Sequence, residues 1–145
     1  MRQPAILIDI DGTLANIDER RTEFLKNKNW DSFYSKISED HLNVWCRQII
    51  EKFRNDHKII LLTGRRESYE KETLAWLDKN NVFFDKLLFR GKDDFRPDEI
   101  VKQEIYENHI RGFFEVLFVV DDRSSVVKMW RSIGLLCLQC DDGNF

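Results

Sequence analysis

Residues 5–15 read Ala-Ile-Leu-Ile-Asp-Ile-Asp-Gly-Thr-Leu-Ala. Residues 5–10 form a continuous apolar run ending in acid, the pattern of a strand buried on both faces of a parallel sheet. Asp9 and Asp11 stand where that strand ends, and Gly12 permits a sharp backbone departure after it. Two acids placed after a buried strand have no evident structural use, which makes them the first candidates for chemistry. Thr13 adds a hydroxyl and an amide donor beside them.

Outward from this stretch, short apolar runs alternate with helical patterns. Strands are expected at 58–62, 86–89, 115–120 and 135–140. Helices are expected at 41–56, with Trp45, Ile49 and Phe53 on one face, and at 67–80, with Leu74 and Leu77 aligned. Another runs from Pro97, a good first helical residue, to about Ile110. The last spans 123–133, with Val126, Trp130 and Ile133 aligned and Gly134 ending it. This order predicts a three-layer α/β fold: a central parallel sheet of about five strands with helices on both faces. Residues 14–40 break the alternation. Charged residues mixed with Phe24, Trp30, Phe33 and Tyr34 suggest a small helical insertion over the strand-end edge. Its aromatics are expected to pack onto the body, although Trp30 and Tyr34 also have the chemistry to stack on a base.

The 145 residues, 42% hydrophobic, suffice for one domain with a real core. A net charge of -3 argues against a generic polyanion binder, so any nucleic-acid substrate must be met by a few local arginines. Three cysteines fit a reducing, cytoplasmic setting, and the lone Cys137-x-x-Cys140 reads as core cysteines on opposite strand faces. His41, His57 and His109 lack metal-ligand spacing. Residues 5–8 are too short an apolar stretch for a signal or membrane segment.

Ligands in such sheets bind beyond the carboxyl ends of the strands. Asp9 and Asp11 lie after the first strand, Thr63, Gly64 and Arg65 after the second, and Asp121, Asp122 and Arg123 after the fourth. Carboxylates so crowded would repel one another, and a hard divalent cation such as Mg²⁺ resolves that conflict while clamping a phosphoryl group. Asp9 can then act as a nucleophile that becomes an aspartyl-phosphate, with Asp11 as general acid and then base. The metal candidates are Asp9, Asp11, Asp121 and Asp122; Asp122 has the alternative of capping the next helix. Thr63 and Gly64 can donate to phosphate oxygens, and Lys102 can pair with nucleophile and phosphate. Asp98, one helical turn before Lys102, can orient it. Arg90, Lys92 and Arg96 read as a solvated loop.

Asp9-Ile10-Asp11-Gly12-Thr13, Leu61-Leu62-Thr63-Gly64-Arg65, Lys102 and Val120-Asp121-Asp122 resemble the four ordered motifs of the haloacid dehalogenase superfamily of phosphatases. The stretch 96–102 and the tail from Val119 to Phe145 are similar to the 3′-phosphatase domain of phage polynucleotide kinase/phosphatases. That resemblance adds Arg20, Arg65 and Asp98 to the catalytic set. It implies a Mg²⁺-dependent 3′-phosphatase on DNA or RNA ends in nucleic-acid repair, with 2′,3′-cyclic phosphates as a further substrate and a separate kinase or ligase as partner. Thr63 stands where the phage enzyme has serine. No G-x-x-x-x-G-K-[ST] loop occurs, so no kinase domain is expected within 1–145.

Two alternatives remain at this level. The same chemistry could serve a free nucleotide, as the acidic net charge suggests. An acidic cluster with Thr63 and Lys102 also resembles a phospho-receiver or binding module, against which Asp11 argues as a general acid that a receiver does not need.

Overall fold

A computed structural model describes residues 1–145. In chain order the elements are β1 (Gln3–Ile8), β2 (Ala15–Asn16), α1 (Asp18–Asn27), α2 (Trp30–Ser35), β3 (His41–Leu42) and α3 (Val44–Phe53). They continue as β4 (Lys58–Arg66), α4 (Glu70–Lys79), β5 (Lys86–Arg90), α5 (Asp98–His109), β6 (Phe114–Arg123), α6 (Ser124–Ser132) and β7 (Cys137–Gly143). The five-stranded sheet has the order β5-β4-β1-β6-β7, and every pairing in it is parallel. The chain builds outward from β1 on one side and then crosses to the other. Such a reversal opens a crevice at the carboxyl end of the central strand, where β1 delivers Asp9.

Strand alternation distributes the core between two layers. Ile6, Ile8, Ile59 and Leu61 point to the face covered by α3, α4 and the insertion. Ala5, Leu7, Ile60 and Leu62 point to the face covered by α5 and α6. Burial on both faces is what the unbroken apolar run predicts. Cys137 lies in the second core and Cys140 packs against the first, and all three cysteines are free.

Several boundaries differ from the sequence expectation. β1 stops at Ile8, although the Asp9 amide still donates to the Val120 carbonyl at 3.0 Å. β4 and β6 run past their expected ends to Arg66 and Arg123, each through a register irregularity that apolar content does not reveal. β7 starts two residues later and extends to Gly143. In α4 the buried side is Thr73, Trp76 and Leu77, while Leu74 is exposed. In α3 the deepest residues are Cys46 and Ile50, with Ile49 and Phe53 flanking them and Trp45 exposed. The insertion is helical as expected, but Ala15–Asn16 also pairs antiparallel with His41–Leu42 and ties its two ends together. No helix is long and apolar enough to cross a membrane.

Candidate active site

Asp9 sits at the floor of a cleft of about 790 Å³ together with Lys102, Asp121 and Asp122. Its carboxylate accepts from Lys102 Nζ at 2.8 Å and from the Thr13 hydroxyl at 3.1 Å. Lys102 also donates to Asp121 at 3.0 Å, and the Trp130 indole reaches the same oxygen at 3.3 Å. Lys102 arrives from α5, packed on one face of the sheet, and is only 2% exposed. Buried between two carboxylates, it is held charged: burial opposes this, but Asp121 and Asp9 outweigh it.

Asp9, Asp121 and Asp122 bring carboxylate oxygens within 4.8 Å of one another. Burial and then the Asp121 charge push the Asp9 carboxyl upward, against the pull of Lys102. The same two causes push Asp122 up to about 6. Three buried carboxylates against Lys102 and the more distant Arg21, 3.3 Å from Asp122, leave a local excess of negative charge, and an all-oxygen donor set of this kind suits a hard divalent cation.

Asp11, also a predicted ligand, is not part of that cluster. Arg65 grips it with Nε at 3.0 Å and a second nitrogen at 2.7 Å, and Arg20 adds a contact at 2.6 Å. Burial alone would raise the Asp11 carboxyl, but Arg65 and Arg20 hold it well below the ordinary carboxylate range. Both arginines, which the resemblance adds to the catalytic set, are thus buried and turned onto Asp11. Arg20 is fixed from behind by Asp40, which accepts from it at 2.8 and 2.7 Å. Arg65 is fixed by the Thr73 hydroxyl at 3.0 Å. Neighbouring Arg21 points elsewhere, to Asp122 at 3.3 Å.

Asp98 does not orient Lys102. It pairs with Arg90 and, at 3.0 Å, with Arg123. A spacing of four residues makes contact possible, but Lys102 reaches inward while the first turn of α5 meets one cation from β5 and one from β6. Arg90 is correspondingly buried, not part of a solvated loop, and donates to the Gly64 carbonyl at 2.7 Å. Gly64 lines the cleft; Thr63 is fully buried, its hydroxyl accepting from the Arg65 amide at 3.1 Å. Asp40, Arg90, Arg123 and the Trp130 indole were not singled out for these roles in the sequence, because nothing near them in the chain marks their partners.

Gly12 is needed for two reasons. Its φ is +85°, and a Cβ there would lie 2.0 Å from an Asp122 carboxylate oxygen. Gly12→Ala is therefore expected to displace Asp122 and lower phosphate-ester turnover about a hundredfold, the penalty of roughly ångström-scale misplacement. Turnover within a few-fold of wild type would show that the Asp122 position is not critical.

A family model described as the polynucleotide kinase PNKP phosphatase domain matches residues 3–145. A protein named "Putative bifunctional polynucleotide kinase/RNA ligase" from Autographa californica nuclear polyhedrosis virus is 30% identical over 135 residues, covering 89% of this chain and 18% of the relative. A chain in the solved Pnkp1/Rnl/Hen1 RNA repair complex superposes with a TM-score of 0.88 at 34% identity, over 99% of this chain and 44% of that one. A hydrolase from Streptococcus pneumoniae TIGR4 shares the fold, with a TM-score of 0.64 at 15% identity, over 98% of this chain and 95% of that one. The chain thus spans less than half the length of the viral relative and of the chain in the RNA repair complex.

Proposed function

This chain belongs to the polynucleotide kinase PNKP phosphatase domain family, and from that membership and the geometry of the cleft we propose that it is a Mg²⁺-dependent 3′-phosphatase of DNA or RNA ends. The observation that carries the reading is the buried Asp9–Lys102–Asp121–Asp122 cluster beside an Asp11 clamped by arginines, all at one sheet edge. Asp9, Asp121 and Asp122 would hold the cation, which when bound offsets phosphoryl charge. Lys102 keeps the Asp9 carboxylate facing the cleft and adds a fixed positive charge.

The reaction then has two halves. An Asp9 oxygen attacks phosphorus, the bond from phosphorus to the 3′-oxygen breaks, and that oxygen takes a proton from Asp11. Water next attacks the aspartyl-phosphate, Asp11 receives its proton, and inorganic phosphate leaves with the Asp9 carboxylate restored. In the resting site Arg65 and Arg20 favour ionised Asp11, which suits the base half. An incoming phosphate brings negative charge beside Asp11, which lines the cleft, and that like charge pushes its carboxyl upward toward the protonated form that the acid half requires. Gly64 offers backbone to the phosphate.

Only a 3-10 turn, α4, β5 and short connecting loops separate Gly64 from the first turn of α5. No domain is inserted there to roof the cleft, which supports a polymer end as substrate. A kinase or ligase acting with this chain is consistent with the composite nature of its relatives. The net charge of -3 favours a second reading, a nucleotide phosphatase with the same chemistry.

Phosphate release from 3′-phosphate DNA, 3′-phosphate RNA, a 5′-phosphate oligonucleotide and a 3′-mononucleotide separates these readings. Preference for 3′-phosphorylated oligomers is the expected result; preference for the mononucleotide would move the function to nucleotide metabolism. Chelation with EDTA is expected to remove at least about 99% of the activity, given the several kcal/mol such a cation supplies, and Mg²⁺ to restore it. Full activity in EDTA would overturn the metal assignment.

A further inference from the structure

We propose that Phe95 is the base-stacking platform for the nucleic-acid tail that leads into the cleft, flanked by Trp30 and Arg66. This rests on the 3′-phosphatase reading and deepens it, because it says how a polymer is told from a small ester. Phe95 is 73% exposed and Trp30 is 43% exposed, and both line the same cleft as Asp9. Arg66 lies between them: it pairs with Asp31, next to Trp30, at 2.8 Å, and its guanidinium stands 5.2 Å from the Phe95 ring centroid.

A lone exposed phenylalanine needs no explanation on a soluble protein. This one is presented by a braced loop. Buried Arg90 donates to the carbonyls on both sides of it, Asp94 at 3.2 Å and Arg96 at 2.7 Å. The Asp94 carboxylate in turn accepts from the Arg96 amide at 3.1 Å, and Arg96 is tied to Glu104 at 2.9 Å. A loop held this firmly keeps its ring in water instead of folding it onto the body. Among the cleft-wall residues beyond the catalytic carboxylates, cations outnumber acids, the reverse of the chain as a whole. Lys28, Arg66 and Arg123 are among them. Aromatic rings beside a local basic excess are the combination that binds single-stranded nucleic acid with little sequence preference, bases stacking on the rings and phosphates meeting the cations.

The test compares a 3′-phosphorylated oligonucleotide with the same oligonucleotide lacking its last two bases. Wild type, Phe95→Ala and Phe95→Trp are assayed, each scaled to its own turnover of glycerol 2-phosphate, which has no ring. Wild type is expected to favour the base-bearing substrate about tenfold in kcat/KM, in keeping with the strength of base–aromatic stacking. Phe95→Ala should bring that ratio near one through KM, and Phe95→Trp should restore it. A ratio of one in wild type, or one that survives in Phe95→Ala, overturns the platform alone. Equal release from 3′- and 5′-phosphorylated forms by wild type overturns the 3′-phosphatase reading, and the platform with it; that outcome is visible without any Phe95 variant.

Discussion

Asp9→Asn is expected to abolish phosphate release by at least about four orders of magnitude while leaving the fold intact. The substitution is nearly isosteric, so the cavity at the end of β1 stays filled. The amide oxygen can still accept from Lys102, which now stands 2.8 Å from an Asp9 oxygen. What is lost is the charge and the nucleophile. Three buried carboxylates become two, so mutual repulsion falls and metal-free stability should hold or rise. Circular dichroism and thermal unfolding in EDTA check the fold, and phosphate release in Mg²⁺ checks the chemistry. Residual turnover of a few per cent would mean that water attacks phosphorus directly, with no aspartyl-phosphate on the path.

Lys102→Met is expected to damage stability and activity together. Methionine approximates the volume of the stem, so packing around α5 changes little and the lost charge dominates. Lys102 lies 2.8 Å from Asp9 and 3.0 Å from Asp121, with 2% of its side chain exposed. Removing one partner of such a buried group leaves uncompensated charge, at a cost of about 3–5 kcal/mol. Denaturant unfolding in EDTA should show that loss. Mg²⁺ should recover more stability in the variant than in wild type, because there the cation becomes the only counter-charge for Asp9 and Asp121. Catalysis should fall by about two to three orders of magnitude with the loss of a fixed charge at the phosphoryl group. Unfolding unchanged in EDTA would show that Lys102 is not the counter-charge of the site.

Asp9 and Lys102 differ in how plainly the sequence marks them. Asp9 is legible because an unbroken apolar run ending in Asp-x-Asp-Gly-Thr has one good reading, a buried strand followed by a tight turn. Lys102 is legible as a residue of α5 but not as a buried one. Its helix is polar around most of its surface, and only the packing of α5 against the sheet directs that side chain to partners 93 and 19 residues away. Asp98 fails to orient it for the same reason. A spacing of four residues makes contact possible, whereas the competing cations Arg90 and Arg123 come from β5 and β6 and are invisible to a helical wheel.

By itself the sequence determined the parallel sheet, its two-layer helical cover, the insertion after β1, and the convergence of Asp9, Asp11, Thr63, Gly64, Asp121 and Asp122 on one edge. These follow from periods of two and 3.6 residues and from turn chemistry, all of which act over a few positions. The tertiary structure alone decided that Arg20 and Arg65 clamp Asp11, that Asp40 holds Arg20, and that the acid cluster is Asp9, Asp121 and Asp122 without Asp11. The Arg65–Asp11 contact joins residues 54 apart. Which cation meets which carboxylate depends on crossing distances between elements, and no local period encodes them.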